Sequence, residues 1–124
     1  MTRLRTAAAA LALGLGVSML GAAAGCSDTD PAIADQAAGR TLIDVRTPAE
    51  FAGGHLQHAL NIDVQSPTFN TDIGRLDRGG KYLVYCRSGS RAEAAITTMR
   101  GLGFTDLING GGFDQLKSAG VPTA

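Results

Sequence analysis

Lys81-Tyr82-Leu83-Val84-Tyr85 is a short apolar run rich in aromatic and β-branched residues, and Cys86-Arg87-Ser88-Gly89-Ser90-Arg91 follows it directly. Gly79 and Gly80 break the chain just before the run. An apolar run of this length between chain breakers predicts a buried strand. Beyond it, Ala92, Ala95, Ile96 and Met99 recur at i, i+3, i+4 and i+7, the spacing that lines one face of a helix. Ser90-Arg91-Ala92-Glu93 has the form of a capping box, which predicts a helix opening at Ser90 with the serine as its cap. Gly101 and Gly103 stop that helix.

The same alternation extends in both directions. Upstream, Pro31 to Ala38 predicts a short helix stopped by Gly39, and Thr41-Leu42-Ile43-Asp44-Val45 a buried strand. Thr47-Pro48-Ala49-Glu50 is a capping box with proline in the first helical turn, a strong helix start. Ala59 to Ile62 predicts a second short strand, Ser66 to Asn70 a loop, and Asn70 or Thr71 to Leu76 a helix. Downstream come a strand at Thr105 to Ile108, a turn at Gly110-Gly111-Gly112, and a helix from Phe113 to Ala119. Strands alternating with helices imply an α/β fold, a central parallel sheet with helices on both faces.

The start of the chain is different in kind. Arg3 and Arg5 precede an uncharged stretch, Thr6 to Ser27, made mostly of Ala, Leu and Gly. A charged start, an apolar stretch and small residues at its end form an export signal, although a run this long could also span a bilayer. The stretch ends in Ala23-Ala24-Gly25-Cys26, which resembles the lipobox of bacterial lipoproteins. That resemblance implies a signal peptide over residues 1–25, cleavage before Cys26, and a diacylglycerol on the Cys26 sulfur. The protein is then exported and lipid-anchored on the outer face of the cell membrane. Ala22-Ala23-Ala24 also suits ordinary signal cleavage, which would release a soluble secreted protein. Residues 26–40 read as a tether and lead-in helix, and residues 41–122 as the folded domain, one small unit with room for a single core.

Eleven Lys and Arg balance eleven Asp and Glu, and two of the arginines belong to the leader. The remainder is slightly acidic, which argues against nucleic acid as a partner. Attraction for anions must therefore be local. Two cysteines in an exported chain also admit a disulfide between Cys26 and Cys86.

In open parallel sheets, ligands bind beyond the carboxyl ends of the strands, where Cys86 falls. A loop curling from such a strand end into a helix start aims backbone N–H groups and the positive end of the helix dipole at one sulfur. Gly89 gives the loop its backbone freedom, and Arg87 and Arg91 add two guanidinium groups. Such surroundings favour a reactive thiolate. A buried cysteine that only packs is the plain alternative, but the strand, loop and capped helix together favour chemistry. His55 and His58 have no third ligand in sight and read as surface or core-edge residues rather than a metal site.

The motifs now resemble a known family. Leu42-Ile43-Asp44-Val45-Arg46 with Glu50-Phe51, then Gly54-His55-Leu56, Ala59 and Asn61-Ile62, is similar to the first half of a rhodanese domain. Cys86-Arg87-Ser88-Gly89-Ser90-Arg91 is similar to the six-residue loop of its thiosulfate-type members, and Gly111-Gly112-Phe113 with Ala119-Gly120-Val121-Pro122 to the family's closing segment. His58 replaces a usual glycine, and Leu116 a common tryptophan. Phosphatases and arsenate reductases of related fold carry a loop one residue longer.

The resemblance implies a sulfurtransferase without metal or organic cofactor. Cys86 would form a persulfide, cradled by Arg87, Ser88, Gly89, Ser90 and Arg91. Its partners would be a small anionic donor such as thiosulfate and a thiol or cyanide-like acceptor. Asp44 and Arg46 have supporting, structural roles, with Arg46 and Glu50 able to pair at i, i+4. Export and the absence of a resolving cysteine leave an exposed, reactive thiol open to oxidation. A tethered, non-enzymatic carrier or sensor that exchanges sulfur with one partner protein would use the same cradle.

Overall fold

The computed structural model describes residues 32–124. The expected leader, Cys26 and Pro31 lie outside the described residues. In chain order the elements are α1 (Ala32–Ala37), β1 (Thr41–Asp44), α2 (Pro48–Ala52), β2 (Leu60–Asn61), α3 (Phe69–Ile73), β3 (Lys81–Cys86), α4 (Ser90–Gly101), β4 (Asp106–Gly112) and α5 (Phe113–Ser118). The strands form one sheet in the order β2-β1-β3-β4, and every pairing is parallel. Among the described residues no helix is long and apolar enough to cross a membrane.

Strand side chains alternate between faces, and β3 shows what this does. Tyr82, Val84 and Cys86 enter a core with Ala92, Ala95, Ile96 and Met99 of α4. Leu83 and Tyr85 enter a second core with Ala37 of α1 and Leu116 of α5. Both faces of β3 are therefore buried, so an unbroken apolar run is what this strand requires. Leu116 is fully buried and fills its place as an aliphatic core residue. His58 is the one non-glycine with positive φ among the described residues, at 67°, a conformation that suits the glycine usual there.

Four local expectations are corrected. The helix expected from Asn70 or Thr71 to Leu76 spans Phe69–Ile73, because Phe69 and Ile73 are its buried anchors. At α4 the cap is Gly89, not Ser90. The Gly89 carbonyl accepts the Glu93 N–H at 2.9 Å, so Ser90 is already inside the helix and no Ser90–Glu93 box forms. Gly110, Gly111 and Gly112 are not a turn but the end of β4. Tyr85 pairs with Gly111 and Cys86 with Gly112 after a one-residue irregularity that leaves Gly110 unmatched, in the manner of a β-bulge. Finally, Arg46 and Glu50 do not pair: Arg46 binds Asp44, and Glu50 binds Arg91. The Thr47–Glu50 capping box forms as expected.

Candidate active site

Cys86 ends β3 at the carboxyl edge of the sheet. It is a free thiol, and its Sγ accepts a hydrogen bond from the Gly89 N–H at 2.9 Å. Gly89 has φ 108°, a left-handed conformation open mainly to glycine, and this turn folds the loop back over the sulfur. Of the five residues expected to form the cradle, Gly89 alone makes that bond among the described residues. The expectation of an exposed thiol is corrected, since Cys86 is fully buried. The loop, the first turn of α4 and the end of β4 together close it in. A Cβ at Gly112 would overlap the Arg87 carbonyl, so β4 supports the loop at close range.

The two loop arginines differ. Arg91 makes a bidentate pair with Glu50, at 2.9 and 3.1 Å, tying α4 to α2. The Arg91 pair holds the Glu50 carboxyl well below the usual carboxylate range, at about 2, against an opposing push from burial. Glu50 is thus anionic at any ordinary pH and largely cancels the Arg91 charge. Arg87 is exposed and has no ionic partner among the described residues. It borders a cleft of about 310 Å³ whose walls include Arg46, Glu50, Gly54, Phe113 and Asp114.

Beneath that cleft lies the Asp44–Arg46 pair. Asp44 is fully buried and Arg46 only 6% exposed. The Asp44 carboxylate accepts from Arg46 Nε at 3.0 and 3.1 Å, from Nη2 at 2.6 Å and from the Arg46 backbone N–H at 2.9 Å. Arg46 Nη2 also donates to the Gly54 carbonyl at 2.7 Å, and its guanidinium lies 4.7 Å from the Phe113 ring centroid, within cation–π range. Burial works against the Arg46 charge, but Asp44 more than offsets it and the guanidinium pKa is raised. His55 is half-buried, stacked on Phe51 with its Nδ1 2.9 Å from the Phe51 carbonyl, while His58 is exposed.

Comparison with known proteins fits this geometry. The sequence profile of the Rhodanese-like domain matches residues 29–119. The chain belongs to the rhodanese-like family. Thiosulfate sulfurtransferase 16 of Arabidopsis thaliana chloroplasts is 31% identical over 99 residues, covering 69% of this chain and 81% of that protein. Thiosulfate sulfurtransferase GlpE of Pseudomonas entomophila is 30% identical over 90 residues, covering 72% and 81%. Among solved structures, a rhodanese-related protein from Thermoplasma volcanium superposes with a TM-score of 0.59 at 30% identity, covering 69% of this chain and 84% of that one. A rhodanese with anions from E. coli also has a TM-score of 0.59, at 26% identity, covering 68% and 96%.

Within this rhodanese domain, two contributors to the site escaped the sequence reading. Glu50 was legible as a helix cap but not as the partner of Arg91, which stands on another element 41 residues away. Asn109 follows the apolar pair Leu107-Ile108, just past the strand expected at Thr105 to Ile108 but inside the observed β4. Its amide donates to the Gly89 carbonyl at 3.1 Å.

Proposed function

We propose that this rhodanese-like protein transfers sulfane sulfur through a persulfide on Cys86. The observation that carries the reading is the Gly89 N–H held 2.9 Å from Cys86 Sγ, at the end of a central strand and the mouth of a helix. The Cys86 thiolate attacks the outer sulfur of a donor such as thiosulfate. A new S–S bond forms, the old one breaks, and sulfite leaves with the bonding electron pair. An acceptor, cyanide or a thiolate, then attacks the terminal sulfur and Cys86 leaves as the thiolate. The balance needs no external oxidant or cofactor. The Gly89 N–H and the start of α4 stabilise negative charge at the sulfur in each step.

The test is steady turnover of thiosulfate with cyanide by reduced protein, together with gain of one sulfur on Cys86 by intact mass. Single-turnover loading that discharges only to a protein would instead favour the carrier. No loading from thiosulfate or a persulfide donor would sink both.

Charge on the rim gives a further expectation. Arg87 is the guanidinium free to draw an anionic donor, so Arg87→Ala raises KM for thiosulfate about fivefold, equivalent to an exposed charge contact of about 1 kcal/mol. Glu50→Gln keeps an acceptor for the α2 cap but uncovers Arg91, and lowers that KM by a few-fold. Both effects shrink as salt is raised. Steady-state kinetics at low and high ionic strength would check them, and equal KM values in all three proteins would refute the assignment.

We also propose that Cys26 is the lipidated first residue of the mature, membrane-anchored protein, on the strength of the Ala23-Ala24-Gly25-Cys26 sequence. Cys26→Ser is then expected to shift the protein out of the membrane fraction or leave it unprocessed. Unchanged size and membrane association would refute the anchor.

A further inference from the structure

Gly89 supplies the hydrogen bond to the Cys86 sulfur, yet a glycine at φ 108° has no side chain to hold its own peptide in place. The restraint acts on the next peptide, at the other end of the residue. The Gly89 carbonyl accepts two donors, the Glu93 backbone N–H at 2.9 Å and the Asn109 side-chain amide at 3.1 Å. The first comes with helix formation. The second comes from β4, across the loop.

The Asn109 side chain is itself constrained on both atoms. Its Nδ2 also donates to Glu93 Oε2 at 3.2 Å, and its Oδ1 accepts the Gly111 N–H at 2.8 Å. Reversing the amide would set Oδ1 against a carbonyl and a carboxylate, and Nδ2 against an N–H. The three partners therefore fix which atom faces the loop. Strand alternation explains why Asn109 is on that side. Leu107 enters the core beneath α4, and Ile108 the opposite one, so Asn109 returns to the α4 side at the point where the chain emerges from the core. The irregularity at Gly110 follows immediately.

We propose that Asn109 is a positioning residue for the Cys86 loop. It pins the Gly89 carbonyl, in the peptide to Ser90, and so restrains the Gly89 φ and ψ rotations that would swing the Gly89 N–H, in the peptide from Ser88, away from the reacting sulfur. The inference deepens the sulfurtransferase reading and rests on it for its kinetic consequence only.

Removing a donor outright from a charge-stabilising site costs about a hundred- to a thousandfold. Loosening one that remains in place is expected to cost less, about tenfold in kcat. In Asn109→Ala, KM for thiosulfate should stay within about twofold, because Asn109 carries no charge toward the donor. The discriminating pair is Asn109→Ala and Asn109→Asp. Asp keeps an oxygen for the Gly111 N–H but has no N–H for Gly89, and it places a carboxylate beside Glu93.

The primary readout is hydrogen exchange of the Gly89 amide by NMR, with the Leu83 and Ala95 amides as internal references; it needs no sulfur transfer. Both variants should speed Gly89 exchange about tenfold, leave Leu83 and Ala95 unchanged, and lower kcat. An Asn109→Asp protein matching the wild type would overturn the proposal, since the Gly111 bond would then suffice. So would a loss of protection shared equally by all three amides, which would make Asn109 a general support of β4. If Gly89 exchange responds as expected but the wild type transfers no sulfur, the positioning stands and the sulfurtransferase reading fails.

Discussion

Cys86→Ser is expected to reduce sulfur transfer to background while the protein still folds. The substitution is nearly isosteric at a fully buried position, and a serine hydroxyl can accept the Gly89 N–H as the sulfur does. The cradle therefore survives and only the nucleophile changes. An alcohol cannot hold sulfane sulfur as a persulfide, so no residual step remains to be slowed. This separates the variant from any change in the loop, where removal of a single donor leaves about a hundredth to a thousandth of the rate. Turnover of thiosulfate with cyanide and intact mass after donor treatment are the measurements. Uptake of one sulfur by the serine variant would move the chemistry to another residue. Burial of Cys86 also bears on handling. A thiol closed in by its loop is shielded from bulk oxidants, so oxidation should follow loop opening rather than simple exposure.

Where a pattern is local, the sequence carried it. The apolar run Lys81 to Tyr85, the Thr47–Glu50 box and the helical spacing of Ala92, Ala95, Ile96 and Met99 each depend on neighbours a few residues apart, and they suffice for an α/β sheet with Cys86 at its edge. What the sequence hid depends on pairing between distant segments. Ser90 and Glu93 have the right types for a box, yet the turn at Gly89 moved the cap one residue earlier. Gly110-Gly111-Gly112 has turn composition, but β3 offers Tyr85 and Cys86 as strand partners, and glycine is the residue that tolerates the close approach to Arg87. Arg46 and Glu50 stand at helical spacing, but Arg46 precedes the helix cap, and each found a better partner elsewhere. Arg91, expected to serve anions, is spoken for by Glu50. That interaction, invisible at a separation of 41 residues, leaves Arg87 as the exposed loop guanidinium without an ionic partner among the described residues.

The largest stability effect is expected at Asp44. Its carboxylate is fully buried and accepts bonds from the Arg46 guanidinium and backbone N–H. Asp44→Ala removes the counter-charge and leaves an almost completely buried cation whose remaining acceptor among the described residues is the Gly54 carbonyl. Breaking a buried pair from one side typically costs about 3–5 kcal/mol, because the surviving charge stays desolvated. Against a total stability of about 5–15 kcal/mol for a domain, that is a large part of the whole. Chemical denaturation of Asp44→Ala should show the fall. Asp44→Ala combined with Arg46→Met should recover much of it, since the unpaired cation is gone and the methionine can pack near Phe113. A shift below about 1 kcal/mol in the single variant would mean that the guanidinium escapes to water, contrary to its buried place here. The consequence reaches the site, because Arg46 joins β1 to Gly54 and so holds one wall of the cleft that Arg87 borders. Folded Asp44→Ala protein should accordingly bind anionic donors less well than its intact Cys86 loop would suggest.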